Sequence, residues 1–193
     1  MGLAVPKGMK NTRRDFLGAA GTLAAATLLG AQSAERPLAP TEENIEGPYY
    51  RKDAPFRNQL AEGVPGDPLL ISGRVISAEG ATLWNALVDV WHASAQGEYD
   101  NQSPKFLFRG RTTPSRCGRY RFTTVMPGQY DLGEAKRPAH IHFKISAPGY
   151  RPLTTQLYFK GDPGLSRDPF VRNSLIIELE KSRGTFDIVL AKA

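Results

Sequence analysis

Short runs of strand-forming residues, separated by turn residues, recur along most of this 193-residue chain. The runs, apolar or alternating, occupy residues 69–77, 86–93, 106–109, 118–125, 139–147, 153–160, 174–180 and 185–191. Gly, Pro, Asn or Asp lies in most of the gaps, and the runs show no strong helical period. Such spacing is typical of an all-β domain. We therefore predict a mainly β fold, an antiparallel β-sandwich of about eight short strands with long loops.

Residues 35–68 differ from the strand-rich part in their content of Pro, Gly and charged residues. This composition predicts little regular structure. We interpret the stretch as an irregular entry segment that precedes a β-sandwich domain at 69–193. Tyr49 and Tyr50 are adjacent in a Gly-Pro loop of this segment, a position that suits a pocket wall or an interface better than a core.

The N-terminus carries the pattern of an export signal. The run TRRDFL at residues 12–17 precedes a short, weakly apolar run at 18–29 and small residues at 31–34. It resembles a twin-arginine signal, whose pattern is Ser/Thr-Arg-Arg-x-Phe-Leu. The apolar run is shorter than the ~20 residues that cross a bilayer. We therefore expect residues 1–34 to be a signal peptide that directs the protein to a periplasmic or extracellular location, without stable membrane insertion after cleavage. An uncleaved anchor is the alternative.

Charge and cysteine content argue against several classes of protein. The formal net charge is +6, and residues 1–33 contribute +3 of it. The remaining charge is small and scattered, which argues against nucleic-acid binding. The single cysteine, Cys117, excludes an intrachain disulfide and a cysteine-rich metal site. The chain also has no Gly-rich phosphate loop and no GxSxG elbow, which argues against nucleotide binding and serine hydrolysis.

The segment 137–143, RPAHIHF, holds two histidines one residue apart in a strand-like run. Because side chains alternate faces along a strand, His140 and His142 are expected on the same face. Pro138 places the pair near a strand entrance, since proline is tolerated at the start of a strand and not in its middle. Two imidazoles on one face are half of a metal site, and zinc, copper and iron all accept them. Two ordinary half-buried histidines are the alternative interpretation.

Two sets of side chains can complete such a metal site. The first is Tyr99 and Tyr130, which lie in loops, Tyr130 ten residues before His140. A tyrosinate is a hard anionic donor that suits ferric iron, because a trivalent ion can lower the tyrosine pKa from its usual ~10. The second set adds His92 to His140 and His142 as a three-histidine zinc site. The residues alone leave both sets open.

Five segments match, in order, the pattern of one enzyme family. They are EGPYY at 46–50, NALVDVWHA at 85–93 with GEY at 97–99, GRYRFTTVMPGQY at 118–130, RPAHIHF at 137–143, and LTTQLYF at 153–159 with GD at 161–162. In these segments the chain resembles the intradiol ring-cleavage dioxygenases. The resemblance covers about residues 41–163, and the agreement of five segments in one order carries it.

The resemblance implies a non-haem Fe(III) centre and a ring-cleaving activity for a catalytic domain at 69–193. The iron ligands would be Tyr99, Tyr130, His140 and His142. The substrates would be a catechol-type aromatic and O2. The ring would open between its two hydroxyl-bearing carbons to give a cis,cis-muconate-type diacid. Members of this family usually assemble, so a homo-oligomer is expected.

The resemblance also implies roles for residues around the iron. Arg137 would face the substrate ring as a catalytic and substrate-binding residue, with Gln156 as a second catalytic residue beside it. Tyr130 would accept a substrate proton. Pro48 and Tyr49 of the entry loop would contact the substrate.

Two other classes of function stay open on the sequence alone. A zinc-site protein would be colourless and would need His92, which lies outside the ligand set of the intradiol family. A non-enzymatic β-sandwich binding module, for carbohydrate or protein, would need no metal and would use the tyrosines as contact residues.

Overall fold

The computed structural model describes residues 37–132 and 135–193, so the predicted signal segment lies outside the described residues. The strands of the described part are β1 Pro68–Ser77, β2 Leu87–His92, β3 Arg109–Thr112, β4 Arg119–Val125, β5 Tyr130–Leu132, β6 Ala135–Arg137, β7 His140–Ser146, β8 Leu153–Phe159, β9 Ile176–Ile177, β10 Arg183–Thr185 and β11 Ile188–Leu190. The only helix in this part is a 3-10 turn, Asn173–Leu175. Within these residues, no helix has the length and apolarity needed to span a membrane.

Two sheets form a sandwich. One is five-stranded, with the order β3-β2-β7-β8-β9, and in the other β1 pairs with β4 on one side and with β10 and β11 on the other. The ten residues of β1 are long enough for β10 to pair with its first half and β11 with its second. The predicted mainly β sandwich is confirmed, with one difference in detail. The pairs β1–β10, β1–β11 and β8–β9 are parallel, while the other strand pairs in the described residues are antiparallel.

Apolar side chains of the two sheets meet in a shared core. Ile141, Phe143 and Ile145 alternate along β7 and are at most 2% exposed. The Phe143 ring lies 6.1 Å from that of Tyr120 on β4 and 5.3 Å from that of Phe186, which follows β10. Alternation along β7 directs the two histidines to the opposite face, away from this core.

Several strands differ from the predicted runs for local reasons. Phe106 and Phe108 have φ values of 50° and 58°, which strands do not use, so the third strand begins at Arg109 instead of spanning 106–109. The run 174–180 contains the end of the 3-10 turn, the two-residue β9 and an isolated bridge at Glu180, so it is not one continuous strand. The hairpin of β5 and β6 was not predicted, because its three-residue strands are too short to show alternation.

The entry segment crosses from one sheet to the other. Residues 37–67 contain no strand beyond isolated bridges at Phe56 and Gln59. The N–H of Thr41 donates to a carbonyl of β11 at 3.0 Å, and the N–H of Asn44 donates to a carbonyl of β8 at 2.8 Å. Gly47 then lies over the outer face of the five-stranded sheet, where a Cβ added to it would be 3.6 Å from the His142 ring.

Candidate metal centre

The outer face of the five-stranded sheet carries a row of buried polar and aromatic side chains. In the pairing of β2, β7 and β8, His142 lies between Trp91 and Gln156, and His140 lies beside Tyr158. Residues paired directly across strands project from the same face. All five side chains therefore share one face, and none is more than 2% exposed.

Three potential metal donors converge on this face. Nε2 of His140 lies 3.1 Å from Nε2 of His142. The hydroxyl oxygen of Tyr99 lies 3.5 Å from the first of these atoms and 3.2 Å from the second. Donors held at about 2.1 Å from one ion, at angles of roughly 90–109°, are separated by about 3.0–3.4 Å. The three atoms thus have the spacing of corners in one coordination polyhedron.

Both histidines are in the neutral form that can bind a metal. Burial first, and then the charge of Arg137, lowers the pKa of His140 to about 4. Burial lowers the pKa of His142 well below its ordinary value, with His140 as the next cause. Nδ1 of His140 lies 2.7 Å from the carbonyl oxygen of Pro138. That contact assigns the proton to Nδ1 and directs the Nε2 lone pair towards the other donors.

Tyr130 lies at the edge of these donors. Its ring centroid is 5.5 Å from that of His140 and 5.5 Å from that of Tyr99. Its hydroxyl oxygen accepts a hydrogen bond from Nη1 of Arg137 at 3.2 Å. The β5–β6 hairpin fixes this contact, because Tyr130 and Arg137 are paired directly across its two strands.

Tyr130 was expected in a loop but is the first residue of β5. Close backbone packing sets the distance between the loop that carries Tyr99 and the loop that leads into Tyr130. A Cβ added to Gly97 would lie 2.3 Å from the carbonyl oxygen of Gln129, and one added to Gly128 would lie 2.4 Å from a backbone oxygen. Real Cβ atoms do not come so close to backbone. Glycine at these two positions therefore lets the two tyrosines approach the same site.

Arg137 reaches the site from β6 and makes contacts along its whole guanidinium group. Nη1 lies 3.5 Å from Nε2 of His140. Nη2 donates to Oε1 of Gln156 at 2.9 Å and to the hydroxyl of Tyr158 at 3.2 Å. Nε donates to the carboxylate of Asp168 at 2.6 Å. The arginine and glutamine singled out by the sequence therefore form one hydrogen-bonded group beside the donors.

The entry loop covers the same site. The Tyr49 ring stacks on that of Tyr99, with centroids 4.3 Å apart and an interplanar angle of 19°. It meets the ring of Tyr130 edge-on at 5.9 Å. Pro48, next to it, is exposed. The loop thus presents an aromatic ring and a proline at the approach to the donors.

His92 is separated from this site by the sheet itself. It pairs with Ile141 across β2 and β7, so its side chain projects from the core face, opposite to His140 and His142. Its two ring nitrogens lie 2.7 Å and 2.8 Å from a backbone carbonyl and from the hydroxyl of Thr124. Among residues 37–132 and 135–193, no group of three His, Cys, Asp or Glu side chains is arranged to hold a metal. This geometry rules out the three-histidine zinc site.

Comparison with known proteins assigns the chain to a family. The profile of a family described as "Dioxygenase" matches residues 45–191, well over half of the chain. The chain is 34% identical to a chlorocatechol 1,2-dioxygenase of Rhodococcus opacus over 168 residues, which are 73% of this chain and 65% of that protein. It is 33% identical to a 6-chlorohydroxyquinol 1,2-dioxygenase of Cupriavidus pinatubonensis over 92% of this chain and 74% of that one. The chain belongs to the intradiol dioxygenase family.

Solved structures of intradiol dioxygenases share the fold. The dioxygenase domain of a dioxygenase and carbohydrate-binding protein fusion from Streptomyces sp. SirexAA-E superposes with a TM-score of 0.73 at 38% identity, over 80% of this chain and 100% of that one. The 3-chlorocatechol 1,2-dioxygenase of Rhodococcus opacus gives a TM-score of 0.75 at 30% identity, over 79% and 73% of the two chains. The chain spans between about half and two thirds of the length of several catechol and chlorocatechol dioxygenases that it matches.

The donor set fits the ferric ion on which intradiol dioxygenases generally depend. It combines two neutral imidazoles with two phenols, and phenolate is a hard donor suited to a trivalent ion. Burial, with the neighbouring Tyr130, raises the pKa of Tyr99 far above its ordinary value. A phenol with so high a pKa ionises near neutral pH only beside a highly charged cation. A softer metal ion is less able to cause this ionisation.

Arg109 is a site neighbour that the sequence did not single out. It is 1% exposed, and its Nη1 donates to the carbonyl of Tyr49 at 2.6 Å. Its Nε donates to the carbonyl of Asp100 at 2.9 Å, directly after Tyr99. Arg109 therefore ties the entry loop to the loop that carries a candidate ligand. The available signal was an arginine following the apolar run FLF, where a charge needs a buried partner.

Proposed function

We propose that this chain is a non-haem Fe(III) intradiol dioxygenase. With O2 it would cleave a catechol-type ring between its two hydroxyl-bearing carbons and give a cis,cis-muconate-type diacid. The observation that carries the proposal is the convergence of the Tyr99, His140 and His142 donor atoms within 3.1–3.5 Å, with Tyr130 and Arg137 at their edge. The relatives named chlorocatechol, catechol and 6-chlorohydroxyquinol 1,2-dioxygenase support the reaction class.

In this proposal Tyr99, Tyr130, His140 and His142 hold the iron. When bound, ferric iron supplies the Lewis acidity that ionises phenol and catechol hydroxyls near neutral pH. The two histidines would bind it as neutral imidazoles, since burial lowers the pKa of both. In His140 the contact of Nδ1 with the Pro138 carbonyl leaves Nε2 free to bind.

Substrate would enter beneath the loop that carries Pro48 and Tyr49. The ring of Tyr49 offers an apolar face for an aromatic substrate, with offset or edge contacts favoured. Tyr130 would accept one proton from a catechol hydroxyl. Its oxygen is held for this purpose by the hydrogen bond from Arg137.

Arg137 would stabilise negative charge that develops on the substrate ring. A guanidinium does not lose its proton at working pH, so it can supply this charge throughout the reaction. Both ends of the Gln156 amide are occupied, because Oε1 accepts from Arg137 and Nε2 donates to the carbonyl of Ile45 at 2.7 Å. Gln156 would therefore act by holding Arg137 in place.

The visible absorption spectrum of the purified protein, recorded before and after anaerobic addition of a catechol, tests the function. We expect a broad tyrosinate-to-iron charge-transfer band that shifts on addition, followed by ring cleavage when O2 is admitted. Tyr99→Phe should weaken this band and iron retention, while Tyr120→Phe, a buried tyrosine of the other sheet, should leave the band intact. A colourless protein without iron by elemental analysis, even after reconstitution, would refute the proposal.

We also propose that the enzyme acts outside the cytoplasm as a homo-oligomer on phenols met there. The TRRDFL pattern at 12–17 supports export. Replacing Arg13 and Arg14 by lysine should retain the protein in the cytosol, and cell fractionation would show it. Detection of the unaltered protein in the cytosol alone would contradict this proposal, and light scattering would report the assembly state.

A further inference from the structure

Asp168 is a buried carboxylate behind the site that the proposed mechanism has not used. Its side chain is only 2% exposed. One carboxylate oxygen accepts from Nε of Arg137 at 2.6 Å, and the other accepts from the N–H of Phe170 at 2.8 Å. The loop after β8 that carries Asp168 also places the Phe170 ring 5.0 Å from the guanidinium carbon. Arg137 is therefore held from behind by one loop.

The hydrogen bonds of the guanidinium group define its orientation. An arginine has five N–H donors in a rigid plane. The Nε donor is taken by Asp168, and the two Nη2 donors are taken by Gln156 and Tyr158. The Nη1 nitrogen supplies the remaining donors. It donates to the hydroxyl of Tyr130 at 3.2 Å and lies 3.5 Å from Nε2 of His140. The plane cannot rotate without breaking the bond to Asp168.

Arg137 and Asp168 balance each other's charge in this buried region. The side chains of Arg137 and Asp168 are 3% and 2% exposed. In the part of the chain that the structure describes, Asp168 is the only acidic side chain that forms an ion pair with Arg137. Removing one partner of a buried ion pair leaves the other uncompensated. Without Asp168, the Nε donor of Arg137 would lose its acceptor, and the Nη1 edge would no longer be held towards the hydroxyl of Tyr130.

We propose that Asp168 is a positioning residue that directs the Nη1 edge of Arg137 towards Tyr130 and the substrate side of the site. This inference rests on the proposed function for its kinetic consequence. The structural part of the inference is that the hydrogen bond to Asp168 fixes the orientation of the Arg137 guanidinium group.

A double-mutant cycle tests the inference. Asp168→Asn keeps an acceptor for the Phe170 N–H and removes the charge that holds Arg137. It should lower kcat for ring cleavage at least ten-fold, with iron content and the charge-transfer band unchanged. In an Arg137→Met background the same change should cost less than two-fold, because Asp168 acts through the arginine. An equal loss in both backgrounds, or no loss in either, would overturn the proposal.

The matched control is Asp187→Asn, which removes an ion pair to Arg74 at 2.9 Å on the other sheet. It should leave kcat within two-fold of the unaltered enzyme. If Asp168→Asn does not fold, Asp168→Glu replaces it, since the charge is kept and only its position moves. We expect that variant to lower kcat with the fold intact, and an unchanged kcat would overturn the proposal.

Exchange of the Arg137 Nε proton, followed by NMR, gives a readout that needs no catalysis. The proton should exchange slowly in the unaltered protein and in Asp187→Asn, and rapidly in Asp168→Asn. Slow exchange in Asp168→Asn would overturn the positioning role. Because this result does not depend on ring cleavage, it stays distinct from failure of the proposed function, which would appear as a protein without iron or cleavage.

Discussion

His92 and His142 lie on neighbouring strands of one sheet, yet the two faces of that sheet treat them differently. Both are buried, at 0% and 1% exposed, and burial lowers the pKa of each. On the core face, His92 has both ring nitrogens against protein oxygens. On the outer face, His140 and His142 direct their Nε2 atoms at each other and at Tyr99. Burial and a lowered pKa are thus shared by His92 and by the candidate ligand His142, and the two differ in their hydrogen-bond partners.

The outer face also carries buried polar atoms that have no hydrogen-bond partner in the part of the protein that the structure describes. Within the described residues, Nδ1 of His142 and Nε1 of Trp91 are buried without a hydrogen-bond partner. An unsatisfied buried group costs about 1–3 kcal/mol. Sites of function are where such costs are retained. The core face shows no such atom at His92, which fits a role in packing.

The largest expected effect comes from replacing a histidine by glutamine on one face and comparing it with the same replacement on the other face. His142→Gln should lower iron affinity by ~100-fold or more and abolish ring cleavage, since changes even around metal ligands cost roughly 10- to 100-fold. His92→Gln should keep both iron and activity. Elemental analysis and the charge-transfer band measure the difference. Loss of iron in His92→Gln alone would reverse our assignment of the two faces.

Arg137 allows a test of whether the outer face carries a catalytic residue in addition to the proposed metal ligands. Arg137→Met should lower kcat by roughly 100- to 1000-fold, the range seen when one donor to a developing anion is removed. Iron content and the absorption band should stay near those of the unaltered protein. Steady-state kinetics with Arg74→Met as the control would measure this. Normal turnover in Arg137→Met would remove it from the catalytic group.

Comparing alanine substitutions at two glycines distinguishes the effect of loop spacing from the effect of backbone strain. Gly97 and Gly149 both have positive φ, 84° and 81°, so alanine is strained at either position by about 1–2 kcal/mol. Only at Gly97 would the new Cβ collide with backbone, while at Gly149 it would meet nothing within 4 Å. Gly97→Ala should lower kcat by roughly 10- to 100-fold through displacement of the tyrosine loops.

Gly149→Ala is the matched control, and it should change kcat by less than two-fold. Thermal unfolding of both variants would report the shared strain. Equal kinetic effects in the two variants would show that loop spacing does not set the activity.

The change with the least expected effect on activity concerns His92, whose pKa makes the folding stability depend on pH. Burial lowers the pKa of His92 from 6.5 to about 4. Below pH 6.5 the His92 imidazole binds a proton in the unfolded chain, whereas in the folded chain it does so only below about pH 4. The stabilisation is therefore complete above pH 6.5 and is lost as the pH falls to 4, by about 3 kcal/mol.

His92→Gln should remove this contribution. Denaturant unfolding of His92→Gln and of the unaltered protein between pH 4 and 7 would reveal it as a smaller slope in the variant. Parallel slopes would contradict the role given to His92. Asp89 contributes with the opposite sign, since burial raises its pKa to about 6, and it is common to both proteins.

Sequence patterns predicted most of the strands and the shared face of the two histidines, because both are local properties of the chain. The seven residues of β7 contain the whole signal that separates Ile141 and Phe143 from His140 and His142. The same rule could not place His92, because its face depends on register against β7, which is a non-local property. The family resemblance supplied the exclusion of His92 before the register did.

The surroundings of Arg137 could not be predicted from sequence for a similar reason. Asp168 is 31 positions further along the chain, in a loop of turn residues where an aspartate is ordinary. The hairpin that brings Tyr130 to Arg137 has only three residues per strand. Contacts of this kind arise from chain packing and leave no periodic trace.

The stacking of Trp91 on His142 would give the protein an optical reporter of iron bound at the proposed site. The two rings are nearly parallel, at 6°, with centroids 4.7 Å apart. The other tryptophan of the chain, Trp84, is 59% exposed. A coloured ion bound by His142 would quench the emission of the indole stacked on it more strongly than that of the exposed one. Intrinsic fluorescence would therefore lose its short-wavelength component as the site fills, so loading can be followed in dilute solution without added dye.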